Sequence, residues 1–236
     1  YSGPDGELGF GVKEALTRKP NIIVVDPRET MLAKRADFWL QLRPGTDDAL
    51  ALAMLNVIIS EGLEDTNFVE SWCYGFKELA ERVAKYTPEW AEPITWVSAE
   101  KIRGAARLYA KVKPSMLEWG CAIEHTPACF QTVRALLCLP SITGNIDQPG
   151  SWSFGMLPLP PFPQLFDKMP QRQQEKRLGY NDFKVLSGEL AQLPSAHIPT
   201  IFEAIRTGKP YPVKTGFIFG NNALSTYGDV KKVYET

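Results

Sequence analysis

Residues 47–61 read as a helix that is apolar nearly all the way round. Ala49, Leu50, Leu52, Ala53, Met54, Leu55, Val57, Ile58 and Ile59 leave almost no polar face to turn toward water. A helix of this kind is buried inside a layered α/β fold, so the chain must supply other layers to enclose it. Its limits are marked. Thr46 is placed to cap it, Asp47 and Asp48 suit its positive N-terminal end, and Gly62 ends it. Just upstream, residues 21–25 form a continuous β-branched run, the pattern of a strand buried on both faces. Asp26-Pro27 stops that run, because a proline cannot donate to a sheet ladder. A second short strand is expected over 38–42, with Arg43-Pro44-Gly45-Thr46-Asp47 as the turn into the buried helix.

The remaining pattern alternates helices with short strands. Helices are expected over 9–19, ended by Pro20, over 66–72 behind Asp65, over 76–86, and from Ser98 to Val112. Pro114 opens a second half. Strand 115–119 ends at Gly120, and Thr126-Pro127 starts a helix that runs to about Leu139 and stops near Pro140. Helix 198–208, strand 216–219 followed by Gly220-Asn221-Asn222, and a last helix behind Asp229 complete the chain. Residues 149–181 are broken by six prolines counted from 145 onward, and a loop of that length is expected to pack on something or to be mobile.

Composition excludes several classes. With 236 residues, 44% of them hydrophobic, the chain is not disordered throughout. A net charge of −1 lacks the field of a nucleic-acid binder or of an anionic-membrane ligand, so neither nucleic acid nor direct membrane insertion is expected. No apolar run approaches the roughly 18 residues of a membrane helix. The cysteines, Cys73, Cys121, Cys129 and Cys138, have no two-residue metal or redox spacing, and only His125 and His197 could join them. Cys129 and Cys138 read as inert core thiols, and no residue is singled out as catalytic or as a metal ligand.

Three expected strands and one helix start end in polar turns: Asp26-Pro27-Arg28, Gly120, Gly220-Asn221-Asn222 and Pro44-Gly45-Thr46-Asp47. Ligands of open α/β sheets bind at the carboxyl ends of strands and near helix N-termini. A carboxylate there accepts two parallel hydrogen bonds from N1–H and the amino group of guanine, which adenine does not offer. Asp26 and Asp47 are candidates for that role, Arg28 for a pyrophosphate, and Asn221 or Asn222 for base or phosphate. Each has a plainer reading as a first-turn acid or a turn residue. Residue types and spacing stop at an α/β chain suited to a nucleotide-sized ligand.

The order of motifs goes further. Ile23 to Thr30, Ala36-Asp37, Leu40 to Met54, Glu61-Gly62-Leu63, Tyr86-Thr87-Pro88-Glu89, Ala105-Ala106-Arg107, Trp119-Gly120, Glu124-His125, Thr143-Gly144-Asn145-Ile146-Asp147 and Gly220-Asn221-Asn222 together resemble the molybdopterin oxidoreductases of the dimethyl sulfoxide reductase family. The resemblance implies an α/β fold of two Rossmann-like layered domains with mainly parallel sheets, incomplete or interdependent. An inserted domain would span 1–113 and carry the two cofactor turns. The returning part of a second would span 114–236. It also implies molybdenum or tungsten held by two molybdopterin guanine dinucleotides. Asp26, Pro27, Arg28 and Thr30 would line one nucleotide, Gly45, Thr46 and Asp47 would read its guanine, and Trp119, Gly120, Glu124, Gly220, Asn221 and Asn222 would approach the cofactors.

On the same resemblance, an iron–sulfur cluster and the metal's ligand are expected upstream of Tyr1, and a further domain after Thr236. The chain would then be a middle piece, inactive and cofactor-free alone, whose partners are the remaining domains of its polypeptide and an iron–sulfur electron-transfer subunit. Location on either side of a prokaryotic membrane would depend on an upstream signal. Two other uses of this frame stay open. One is a non-catalytic relative such as the large iron–sulfur subunit of NADH dehydrogenase, against which the intact Pro44-Gly45-Thr46-Asp47 argues. The other is a non-redox hydratase using the same cofactor.

Overall fold

Strand β1 (Ile23–Val25) lies parallel to strand β2 (Phe38–Leu40), with Ile23 opposite Phe38, Val24 opposite Trp39 and Val25 opposite Leu40. A 3₁₀ turn, Ala33–Arg35, sits in the connection. The structure is a computed structural model and describes residues 14–153, 168–191 and 194–236. The first part of the expected helix 9–19 and the middle of the proline-rich segment 149–181 lie outside the described residues. Residues 14–17 are helical and that turn ends before Pro20, as expected. The chain is α/β, a small parallel sheet with many helices, and divides into two units, residues 1–156 and 157–236.

In the first unit, helix α1 (Asp47–Ser60) is the centre. Four helices pack on it: α3 (Phe76–Val83), α4 (Pro88–Thr95), α5 (Ala99–Lys111) and α7 (Cys129–Ile142). Leu55 and Ile58 are fully buried, in line with the all-round apolar sequence. Asn56, a buried polar residue on α1, donates from Nδ2 to the carbonyls of Val83 (3.0 Å) and Ala84 (3.2 Å), satisfying the C-terminal end of α3 from within the core. Helix α2 (Thr66–Trp72) is capped by Asp65, which accepts from Phe68 N–H at 3.1 Å, and α5 by Ser98. Short helix α6 (Cys121–Glu124) follows Gly120.

The sequence expectations need five adjustments here. Helix α3 ends at Val83 rather than at residue 86: the Val83 carbonyl accepts from Tyr86 N–H (2.9 Å) in a tighter turn, and Asn56 takes the Ala84 carbonyl. Helix α4 was not anticipated, although Thr87 accepting from Trp90 N–H with Pro88 at the first position is an ordinary helix start. Helix α7 begins at Cys129 and runs through Pro140, which is itself buried among Leu139 and Ile142. Residues 115–119 form no ladder. Ser115 N–H goes instead to Asn145 Oδ1 at 2.9 Å, and its hydroxyl donates to the Tyr109 carbonyl at 3.0 Å. Strand β1 is not buried throughout: Val24 is inward and Ile23 is half-buried against the core, but Val25, the last residue before the turn, is 43% exposed.

The second unit holds short helix α8 (Gln171–Gln174), α9 (Ile198–Thr207), α10 (Ala223–Thr226) and α11 (Val230–Glu235). Helix α9 ends at Gly208 in the left-handed conformation and α11 is capped by Asp229, both as expected. His197 stacks on Phe183 with ring centroids 3.6 Å apart, and Phe202 meets Tyr227 edge-on. The expected strand 216–219 is unpaired among the described residues. Phe217, Ile218 and Phe219 are all exposed, the two phenyl rings stacked on each other.

Candidate functional site

Because β1 and β2 are parallel, the turns that follow them leave from the same edge of the sheet. The first turn is Asp26-Pro27-Arg28. Asp26 N–H donates to the Leu40 carbonyl (3.3 Å), and the Asp26 carbonyl accepts from the Trp39 indole (2.9 Å). Gln41, in the second turn, donates to the Pro27 carbonyl at 3.2 Å, so the two turns are joined. Asp26 Oδ1 accepts from Arg28 N–H at 2.7 Å, which holds the turn closed. The Thr30 hydroxyl accepts from Ala33 N–H and starts the 3₁₀ turn. Arg28 is exposed.

The second turn is fixed at its base by Arg43 N–H, which donates to the Thr95 carbonyl at 2.8 Å. Thr46 stands at the cap position of α1, but its hydroxyl donates to the Arg43 carbonyl at 2.7 Å instead of capping the helix. The expected cap is therefore a loop brace. Gly45 has φ +81°, and a Cβ there would touch nothing within 4 Å. Glycine is needed for the backbone conformation, and the space beside it is open. Asp47 is the first residue of α1 and is half-buried. Burial holds its carboxyl above the ordinary 3.8, opposed by its own backbone N–H and reinforced by Asp48.

The other sequence candidates form two separate local arrangements. Trp119, half-buried, donates from its indole to Glu124 Oε1 at 3.3 Å across Gly120, and its ring centroid is 5.9 Å from that of Trp152. Gly220, Asn221 and Asn222 belong to the second unit and are exposed; Asn221 donates to the Tyr227 hydroxyl at 3.1 Å, and the Asn222 carbonyl accepts from the Thr226 hydroxyl. Sequence reasoning passed over Arg43 and Trp96. The Arg43 guanidinium carbon lies over the Trp96 ring, 5.4 Å from its centroid. Arg43 sits inside the quoted motif and could have been singled out, whereas nothing local marks Trp96.

All four cysteines are free, and burial pushes the Cys73 and Cys138 thiols up, as suits inert thiols. Among the described residues no group of three or more His, Cys, Asp or Glu is placed to hold a metal, and no helix is long and apolar enough to cross a membrane.

Comparison with known proteins places this geometry in a family. Residues 11–235 match the profile of the family described as Molybdopterin oxidoreductase. The chain is 36% identical over 241 residues to acetylene hydratase of Syntrophotalea acetylenica, which covers 92% of this chain and 33% of that protein. It is 34% identical over 236 residues to formate dehydrogenase H of Escherichia coli (strain K12), covering 91% of this chain and 31% of that one. Among solved structures, acetylene hydratase from Pelobacter acetylenicus superposes with a TM-score of 0.75 at 31% identity, covering 97% of this chain and 34% of that one. The chain thus spans about a third of the length of these relatives. It belongs to the molybdopterin oxidoreductases of the dimethyl sulfoxide reductase family.

Proposed function

We propose that this chain holds the guanine nucleotide end of a molybdopterin guanine dinucleotide cofactor within a larger molybdenum or tungsten enzyme. The observation that carries the reading is Asp47: a half-buried carboxylate at the start of a buried helix, beside the open corner at Gly45. It is suited to accept both donors of a guanine edge. The donor set around it fits an anionic, guanine-bearing ligand. Neither Arg28 nor Arg43 has an acceptor for its guanidinium among the described residues, and both lie on the turns at this sheet edge.

In this reading Asp26, Pro27, Arg28 and Thr30 form the wall along one nucleotide, and Gly45, Thr46 and Asp47 read its base. Trp119, Gly120, Glu124 and the Gly220-Asn221-Asn222 turn approach the cofactors. When bound, the cofactor's metal supplies two-electron chemistry with transfer of an oxygen atom or a hydride equivalent. The chain's residues bind and orient the organic end and keep it in one register. Domains 1–113 and 114–236, an iron–sulfur cluster elsewhere in the polypeptide, the remaining domains as partners, and inactivity of residues 1–236 alone belong to the same proposal.

A second reading, non-redox hydration with the same cofactor, is favoured by acetylene hydratase being both a sequence relative over 92% of the chain and a structural neighbour. Turnover of an alkyne by the full-length protein without an electron acceptor would separate it from the redox reading. The binding proposal is tested by Asp47→Ala in the full-length protein. Loss of a charge-assisted pair of about 1.5–3 kcal/mol should lower pterin and metal content together. Unchanged content would refute the assignment.

A further inference from the structure

Trp96 is out of keeping with its backbone. It closes α4 with φ +66°, in the left-handed region that bulky side chains avoid. The turn itself is well explained. Trp96 N–H donates to the Glu92 carbonyl at 2.9 Å, Val97 N–H donates to the Thr95 hydroxyl at 3.2 Å, and Val97 is buried. Glycine would make that turn without strain, and no burial repays the indole, which is 69% exposed. Its described partner is the Arg43 guanidinium, over the ring at 5.4 Å. Arg43 is tied to the residue before Trp96 through its own N–H, so ring and guanidinium are held against each other by the backbone as well.

We infer that Trp96 is a positioning residue for guanine recognition, holding Arg43 so that its N–H donors meet the O6/N7 acceptor edge of the base whose donor edge Asp47 takes. This rests on the nucleotide reading above. The chemistry favours it on two counts. A guanidinium carried on an aromatic face keeps its N–H groups for other acceptors, and Arg43 has none among the described residues. An arginine fork also matches O6 and N7 of guanine, while adenine presents a donor at the corresponding exocyclic position. Arg43 and Asp47 stand at the two ends of one turn, so one base would be bounded on both edges by residues of a single loop.

The test uses the full-length polypeptide in its cofactor-free form, titrated with guanosine, guanosine monophosphate and adenosine. Trp96→Gly should leave thermal stability unchanged or raised, because the strained φ is relieved. It should also weaken guanosine and guanosine monophosphate equally, by roughly tenfold, and lower the guanosine-over-adenosine ratio. Trp96→Phe should restore binding, and Arg43→Lys, which loses the fork, should match Trp96→Gly. The inference is overturned if both Trp96→Gly and Arg43→Lys bind guanosine as the unaltered protein does. It is equally overturned if only the monophosphate is weakened, since Arg43 would then serve the phosphate. Asp47→Asn is the control for the underlying reading. If it lowers guanosine affinity while Trp96→Gly does not, the present inference alone fails. If Asp47→Asn has no effect, the nucleotide reading fails with it.

Discussion

Gly104, in the middle of α5, lies against the ring of Phe38 on β2, the strand that leads into the Arg43–Asp47 turn. Replacing an interior helical glycine by alanine ordinarily stabilises by about 0.8–1 kcal/mol. Here a Cβ would sit 2.5 Å from both Cε1 and Cζ of Phe38. Carbon atoms in contact are about 3.5 Å apart or more, so ring and helix would have to separate by about 1 Å. Phe38 cannot simply swing away, because its ring is half-buried against the core and its backbone is fixed in register opposite Ile23. Overpacking of this kind costs about 1–3 kcal/mol, which exceeds the propensity gain. Gly104→Ala should therefore destabilise by about 1 kcal/mol, measured as a lower urea midpoint at unchanged slope. In a Phe38→Ala background the obstacle is gone, and the same substitution should stabilise by about 1 kcal/mol. The cycle should thus show a coupling near 2 kcal/mol with a reversal of sign. A Gly104→Ala variant that stabilises in both backgrounds would refute the argument that this close approach sets how α5 sits on β2.

Other outcomes follow from the same structure. Asn56→Ala should cost about 1–3 kcal/mol in equilibrium unfolding, since it leaves the Val83 and Ala84 carbonyls without their buried donor. Glu61 and Asp65 are both held below their ordinary 4.5 and 3.8, Glu61 chiefly by its hydrogen bond from Arg107 and Asp65 chiefly by that from Lys113. A depressed folded value gives stability that is present above the unfolded value and lost as pH falls through the folded one. The thermal midpoint should accordingly be flat near neutrality and fall below about pH 4, and Lys113→Met should lower the neutral midpoint and shrink the Asp65 part of that fall.

The elements most visible in the sequence were those fixed by local chemistry. The all-round apolar α1, the Asp65, Ser98 and Asp229 caps and the Gly208 stop were readable because each depends on a few adjacent residues. Strands depended on partners elsewhere and were read less well. Residues 115–119 and 216–219 carry strand-like side chains, yet the first gives its Ser115 N–H to Asn145 and the second meets no ladder among the described residues. The turns after β1 and β2 could be named from strand ends and helix starts, because a parallel pair brings its carboxyl ends to one edge whatever the details. What could not be read was the fine structure of that edge. Thr46 looks like a cap and is a brace, since its hydroxyl reaches back to Arg43. Trp96 joins the turn only through the fold, more than fifty residues beyond Arg43 in the chain.

Asp47 opens the same helix whose interior forms the core, and this sets the bearing of the acid. Each residue advances an α-helix by about 100°, so inserting or deleting one residue inside α1 would swing Asp47 by that angle relative to Leu55 and Ile58, or swing those two out of the core instead. The helix is locked in phase by its burial, and no change in the length of the preceding turn can re-aim the carboxylate. Sequence drift in residues 41–46 can alter how tightly the loop is braced, but the direction from which a ligand meets Asp47 is dictated by the packing of the core.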